Sequence, residues 1–172
     1  MHRITGSDTL APIVFLHEGL GSVSMWTHCG SDWPLKVCRA VGRGGVVYSR
    51  SGYGQSVPTP SRRGTSTPGR NVLTPSYLHF EAFDVLPALL SRMQIKCPVL
   101  LGHSDGATIA LLYASQFPVT MCIAMAPHVI VENIAVNAID QARQGFEAGD
   151  LRKRLAKHHA HVDGAFWRWS DV

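Results

Sequence analysis

Four short runs of mainly apolar residues recur along the chain, each close to a proline or a glycine. They occupy positions 13–16, 46–49, 99–101 and 121–125. A continuous apolar run of roughly this length is typical of a strand that is buried on both faces of a parallel sheet. The pattern therefore predicts four buried parallel strands.

Segments with helical spacing lie between and after these runs. Apolar residues near 3.6-residue spacing predict helices at 33–41, 76–93, 107–117, 131–146 and 151–162. Pro87 predicts a kink in the second helix, and Gly149 and Asp150 are suited to end the fourth helix and cap the fifth. Strands that alternate with helices indicate an α/β fold, with a parallel sheet and flanking helices.

Two stretches depart from this alternation. Positions 57–75 hold four of the ten prolines and many serines and threonines, so we expect an irregular, mobile surface loop there. About ten residues precede the first apolar run, which leaves little room for an antiparallel hairpin before the first buried strand.

The strongest chemical signal lies at 102–106. Gly102, Ser104 and Gly106 form a G-x-S-x-G pattern that follows a predicted strand and precedes a predicted helix. A serine on such a sharp turn has a strained backbone, and glycines two residues away relieve the crowding on both sides. The helix N-terminus then offers free N–H groups beside the serine oxygen. This context predicts that Ser104 is a nucleophile, the alternative being a chance pattern in a turn.

A glycine-rich turn at 17–22 follows the first strand. Acyl transfer needs two hydrogen-bond donors for the oxyanion that forms on the substrate carbonyl. One donor is the N–H of Asp105, directly after the serine, and this turn is placed to supply the other from Gly19 or, failing that, Leu20. His17 would support the turn through a hydrogen bond. Taken alone, the segment is more simply explained as a plain strand-to-helix turn.

A third turn, at 48–56, contains Gly52 and Gly54 and follows the second strand. A dinucleotide-binding fingerprint would require a third glycine where Val57 stands, and a helix where the proline-rich loop begins. We therefore expect no dinucleotide site and no other cofactor.

These three segments, in this order, resemble the α/β-hydrolase superfamily over residues 12–171. The turn after the first strand is similar to the family's His-Gly oxyanion turn, with Glu18 in place of the usual glycine, and 102–106 is similar to its nucleophile elbow. The resemblance implies that Ser104 is the nucleophile and that Gly19 and Asp105 form the oxyanion hole.

The same resemblance implies an architecture. We expect a partial α/β-hydrolase fold that corresponds to about the third to the sixth strand of the family, with a hydrolase core at 1–128 and the start of a helical cap at 129–172. Ser-Asp-Gly elbows also occur in relatives that cleave amino-acid esters, which would give the Asp105 carboxylate the role of attracting a substrate ammonium.

The family's catalytic acid and histidine are not identifiable in this sequence. In the family they follow the seventh and eighth strands, whereas only helical patterns follow residue 126 here. His128 and Glu132 are weak substitute candidates just beyond the last predicted strand. His103 should point away from Ser104 and support the scaffold.

The remaining histidines cluster near the end of the chain. We expect them to lie on a solvated helix face rather than to act as a base or to bind a metal: His158, His159 and His161.

Three interpretations of function remain open. The first is a serine hydrolase that cleaves small-molecule acyl esters, as a carboxylesterase does. The second is hydrolysis of a C–C bond on the same fold. The third, motivated by the missing acid and histidine, is a catalytically incomplete fragment or a pseudoenzyme that acts as a binding module.

Composition narrows the choice of partners. The chain has 172 residues, which suits one domain, and a formal net charge of +4. The basic residues form no stripe with interleaved aromatics, which argues against nucleic acid as a partner, and no apolar run approaches the ~18 residues of a membrane span.

The four cysteines, at 29, 38, 97 and 122, lack C-x-x-C spacing. We expect reduced thiols in a cytoplasmic protein, with self-association through an exposed sheet edge.

Overall fold

The computed structural model describes residues 1–58 and 73–171, so most of the predicted 57–75 loop lies outside the described residues. The strands in this part of the chain are β1 (His2–Ile4), β2 (Ile13–Leu16), β3 (Thr27–His28), β4 (Ser31–Asp32), β5 (Gly45–Val47), β6 (Val99–His103) and β7 (Met121–Met125).

Five of these strands form one sheet in the order β1-β5-β2-β6-β7, while β3 and β4 form a small hairpin. Four of the five are parallel, at the positions where the apolar runs predict strands. Burial is complete for β2 and β5 but not for β7, where the prediction of a fully buried strand is wrong. In the part of the chain that the structure describes, β7 is an edge strand with β6 as its neighbour, and Met121 is 54% exposed.

The start of the chain forms a strand that the apolar pattern does not predict. β1 pairs antiparallel with β5, in the register His2 with Val47 and Ile4 with Gly45. Ile4 is the one buried residue of this three-residue edge strand. Such a strand leaves no apolar run in the sequence, because only one face of it meets the core.

The helices of the core largely follow the prediction. α1 (Trp33–Val41) starts where the Asp32 side chain accepts a hydrogen bond from the Leu35 N–H, and ends at Gly42 in the left-handed conformation. The second helix comprises α2 (Tyr77–Phe80), a π-helical turn (Glu81–Val85) and α3 (Leu86–Arg92). The expected distortion near Pro87 is thus a π turn just before it, and the proline occupies the first turn of α3, where it is tolerated.

The remaining helices are α4 (Asp105–Gln116), α5 (Asn133–Glu147), α6 (Asp150–Leu155) and α7 (Val162–Ser170). The prediction of one helix at 151–162 is wrong. The helix ends at Leu155. In the segment that follows, the Ala160 N–H donates to the Gly54 carbonyl at 2.8 Å. Gly149, with φ 95°, precedes α6, so Asp150 is its first residue rather than its cap.

Two apolar clusters cover the two faces of the sheet, one centred on Val14 and Leu100, the other on Phe15 and Leu101. The division at 1–128 and 129–172 stays a prediction, although α5, α6 and α7 share a third cluster around Phe146 and Phe166. No helix in the described residues is long and apolar enough to cross a membrane.

Candidate active site

Ser104 occupies the turn between β6 and α4, with φ 54° and ψ −119°. A Cβ added to Gly102 would lie 2.2 Å from the Gly106 carbonyl oxygen, and one added to Gly106 would lie 2.0 Å from the Leu16 carbonyl oxygen. Both glycines are therefore required by close backbone contacts. The predicted strand–turn–helix geometry is present, and it holds the serine in a strained backbone conformation.

The turn after β2 lies beside this elbow, because the close approach of Gly106 to Leu16 brings the end of β2 against the start of α4. Asp105 is the first residue of α4, so its N–H has no partner within the helix. Among the described residues, no acceptor is recorded for the N–H of either Gly19 or Asp105. Both predicted oxyanion donors are thus unpaired N–H groups on adjoining segments.

His128 contacts the serine directly. Its Nε2 lies 2.9 Å from Ser104 Oγ. The chain reaches this point through a turn after β7 in which Ala126 has φ 49°. The Thr108 hydroxyl then fixes the histidine backbone: it accepts from the His128 N–H and donates to the His128 carbonyl, each at 3.0 Å. This role of Thr108 has no signal in the sequence.

Glu132, the other candidate to replace a missing catalytic residue, does not join Ser104 and His128. Glu132 is exposed just before α5 and has no recorded contact with His128. Within the described part of the chain, no carboxylate lies at hydrogen-bond distance from the His128 ring. Those residues also contain no group of three side chains arranged to hold a metal ion.

His17 supports the turn at 17–22 through hydrogen bonds, as predicted. Its Nδ1 donates to the Glu18 carbonyl at 2.7 Å, and its Nε2 accepts from the Arg50 N–H at 3.0 Å. This pair of bonds requires a neutral ring with the proton on Nδ1. Complete burial, reinforced by the charge of Arg50, lowers the pKa of His17 well below its ordinary value.

The Asp105 side chain is paired within the protein rather than free to meet a substrate. Its carboxylate is 3.5 Å from Arg50 Nη2 and accepts a 2.5 Å hydrogen bond from the Tyr77 hydroxyl, and the residue is 6% exposed. This pairing and burial argue against the attraction of a substrate ammonium, which stays a prediction. Burial and then the Asp105 charge raise the pKa of Tyr77, which keeps its hydroxyl as the donor.

The surroundings of His103 and His159 differ from those that the sequence predicts. His103 is not packed into the scaffold: its side chain is 46% exposed, with Nδ1 3.8 Å from a Glu18 carboxylate oxygen. His159 is buried rather than solvated. Its Nδ1 accepts from the Gly54 N–H at 2.9 Å, so its Nε2 donates to the Leu20 carbonyl, also at 2.9 Å. Burial lowers the pKa of His159. The histidine therefore ties the segment after α6 to the turn at 17–22, a contact with no signal in the sequence.

The model of the alpha/beta hydrolase family matches residues 13–171. The chain belongs to the alpha/beta hydrolase family. Among curated proteins, none matches it.

Solved structures share the same fold. A carboxylesterase structure from the thaumarchaeon Nitrososphaera gargenis is 17% identical with a TM-score of 0.63, and the match covers 98% of this hydrolase-family chain and 61% of that one. An alpha/beta hydrolase fold protein from Burkholderia ambifaria is 16% identical with a TM-score of 0.64, covering 98% and 65%. A monoacylglycerol lipase from Paleococcus ferrophilus is 15% identical with a TM-score of 0.51, covering 81% and 49%. The chain thus spans less than two thirds of the length of each of these three proteins.

Proposed function

We propose that this hydrolase-family protein cleaves small-molecule carboxyl esters through Ser104, with His128 as the general base. The observation that carries the proposal is the 2.9 Å contact between Ser104 Oγ and His128 Nε2. A serine hydroxyl is a weak nucleophile unless a base takes its proton, and a neutral imidazole nitrogen within hydrogen-bond reach is suited to that task.

In the acylation step, the Ser104 hydroxyl donates its hydrogen bond to His128 Nε2. As Oγ forms a bond to the ester carbonyl carbon, the proton moves to Nε2 and the carbonyl electron pair becomes an oxyanion. The N–H groups of Gly19 and Asp105 stabilise this oxyanion. The tetrahedral intermediate collapses, the C–O bond of the ester breaks, and the His128 imidazolium gives its proton to the leaving alkoxide.

Deacylation repeats the sequence with water. His128 takes a proton from the water as its oxygen attacks the acyl carbon, and then returns a proton to Ser104 Oγ as the acid leaves. The Thr108 hydrogen bonds hold the histidine backbone, while no described carboxylate orients the ring through Nδ1. We therefore expect slower turnover than that of a complete Ser-His-Asp triad, in which loss of the carboxylate function costs about 10⁴-fold.

The test is turnover of p-nitrophenyl acetate by the purified chain, together with labelling by a fluorophosphonate probe. Ser104→Ala should abolish both. Ser115→Ala is the matched control, because this exposed serine lies on α4 and, within the described residues, donates to the Leu112 carbonyl at 2.6 Å and to no other group. Turnover that survives in Ser104→Ala would overturn the proposal. A wild-type chain that neither labels nor turns over, but binds esters, would favour the binding-module alternative.

A further inference from the structure

A single guanidinium group contacts both segments that carry the proposed oxyanion donors. Arg50 is 3% exposed and follows β5. Its Nη2 donates to the Glu18 carbonyl at 2.8 Å and to the Gly19 carbonyl at 3.3 Å. The same nitrogen lies 3.5 Å from Asp105 Oδ2. We infer that Arg50 is a positioning residue that fixes the Gly19 and Asp105 N–H groups relative to each other; this inference rests on the proposed function.

The contact with Glu18 controls the direction of the Gly19 N–H. The Glu18 carbonyl and the Gly19 N–H belong to one planar trans peptide, so they point in opposite directions. Arg50 Nη2 and His17 Nδ1 both donate to this carbonyl, at 2.8 and 2.7 Å. The Gly21 N–H also donates to it, at 3.0 Å. Together these three donors fix the rotation of the peptide plane, and with it the direction in which Gly19 presents its N–H. They also polarise the peptide and strengthen that N–H as a donor.

The contact with Asp105 anchors the second donor. The Asp105 carboxylate is held between Arg50 and the Tyr77 hydroxyl, which donates to it at 2.5 Å. Because Asp105 opens α4, this pairing ties the first turn of the helix to the same guanidinium that holds the peptide of Gly19.

Arg50 is itself held from several sides. Its backbone N–H donates to His17 Nε2 at 3.0 Å, and its Cζ lies 5.1 Å from the centre of the Tyr53 ring. Its Nε and Nη1 are buried and have no hydrogen-bond partner among the described residues. Burying such donors works against stability, so the arrangement is better explained by placement of the two donors than by the stability of the fold.

The test compares Arg50→Met with Arg43→Met. Arg43 is a matched control because it also donates to a backbone carbonyl, that of Ala11 at 2.7 Å, next to the start of β2 rather than its end. Loss of aligned oxyanion donors acts on the transition state, so Arg50→Met should lower kcat for p-nitrophenyl acetate by about 10²-fold and leave KM nearly unchanged. Arg50→Lys keeps a charged donor beside Asp105 and should restore part of kcat. Arg43→Met should leave both constants unchanged.

A second readout does not depend on activity. Amide hydrogen exchange of the 17–21 turn should be faster in Arg50→Met than in wild type, and unchanged in Arg43→Met. Should Arg50→Met not fold, Arg50→Lys carries the same comparison, with a smaller effect in the same direction. Unchanged kcat and unchanged exchange in the Arg50 variants would overturn the inference while leaving an active Ser104 in place. A wild-type chain without Ser104-dependent turnover would instead overturn the proposed function, and the exchange result would then decide the positioning role by itself.

Discussion

His128 and Ser104 are joined by a 2.9 Å hydrogen bond although 24 positions separate them in the chain. The bond joins the end of β7 to the end of β6, two parallel strands that are paired in register from Val99 with Met121 to His103 with Met125. The carboxyl ends of neighbouring parallel strands meet at one edge of the sheet, and ligand sites of open α/β sheets lie there. The same topology brings the turn after β2 to this edge.

The first prediction concerns Thr108. Its hydroxyl makes both backbone hydrogen bonds of His128, so Thr108→Val should release the histidine while keeping the volume of the side chain. We expect kcat for p-nitrophenyl acetate to fall about tenfold with little change in KM, and the free energy of unfolding to fall by about 1–3 kcal/mol. Thr108→Ser retains the hydroxyl and is the control. Equal kcat values for the two variants would show that Thr108 does not hold His128 in place.

The second prediction concerns the contact between Gly19 and α7. A Cβ on Gly19 would lie 2.2 Å from Trp169 Nε1, so Gly19→Ala must displace either the indole or the turn. We expect kcat/KM to fall by about tenfold or more, because a displaced turn misaligns the proposed Gly19 donor. Truncating the indole in the double variant Gly19→Ala with Trp169→Ala should restore part of this loss.

Gly164→Ala is the control for this comparison, because an added Cβ on this α7 glycine meets only a His161 carbon at 3.9 Å. It should leave kcat/KM unchanged and raise stability by up to ~1 kcal/mol through helix propensity. Wild-type activity in Gly19→Ala would contradict the assignment of this turn to the oxyanion hole.

The third prediction is a loss of stability in mild acid. His17 and His159 both have a pKa lowered from the ordinary value of 6.5, mainly by burial. The unfolded chain therefore takes up protons below about pH 6.5 that the folded protein does not, so the free energy of unfolding decreases as the pH falls from there. Each histidine contributes at most about 1.4 kcal/mol per pH unit.

Urea denaturation at pH 7.5 and pH 5.5 measures this slope. His159→Gln removes one titrating group while keeping a donor and an acceptor, so the variant should lose less stability between the two values than wild type. An identical pH dependence for wild type and variant would exclude His159 as a contributor.

The fourth prediction concerns the β7 edge. Met121 and Ile123 are 54% and 37% exposed on a strand that has one neighbour in the described sheet. We expect the chain to self-associate through this edge, since unpaired strand groups with apolar side chains invite further pairing. In sedimentation velocity, Ile123→Lys should reduce the association. Leu111→Lys, at a site on α4 that is 39% exposed, should not. A wild-type chain that stays monomeric at all concentrations would refute the prediction.

Local signals made the core of this fold predictable. Four apolar runs specify the parallel strands, and two glycines specify the elbow, because each depends on neighbours within a few positions. The sequence did not predict β1, because this segment becomes a strand by pairing with β5. A three-residue edge strand with one buried side chain carries too little pattern of its own.

The candidate active site, too, could be predicted from the sequence only in part. Ser104 and the two donor segments follow from short motifs, whereas the contacts that fix them depend on tertiary structure. Tyr77 and Asp105 are 28 positions apart, and His159 and Leu20 are 139 apart. Nothing in the sequence near His159 distinguishes a buried histidine from a solvated one, since the carbonyl and the N–H that satisfy it come from other turns.

The rate at which a fluorophosphonate phosphonylates Ser104 tests most directly whether His128 activates this serine. Mass spectrometry would follow the label on Ser104 in wild type and in His128→Gln, which keeps a polar side chain but no titratable base. We predict a rate constant at least about 10²-fold lower in the variant. Equal rates of Ser104 labelling in the two proteins would contradict the claim.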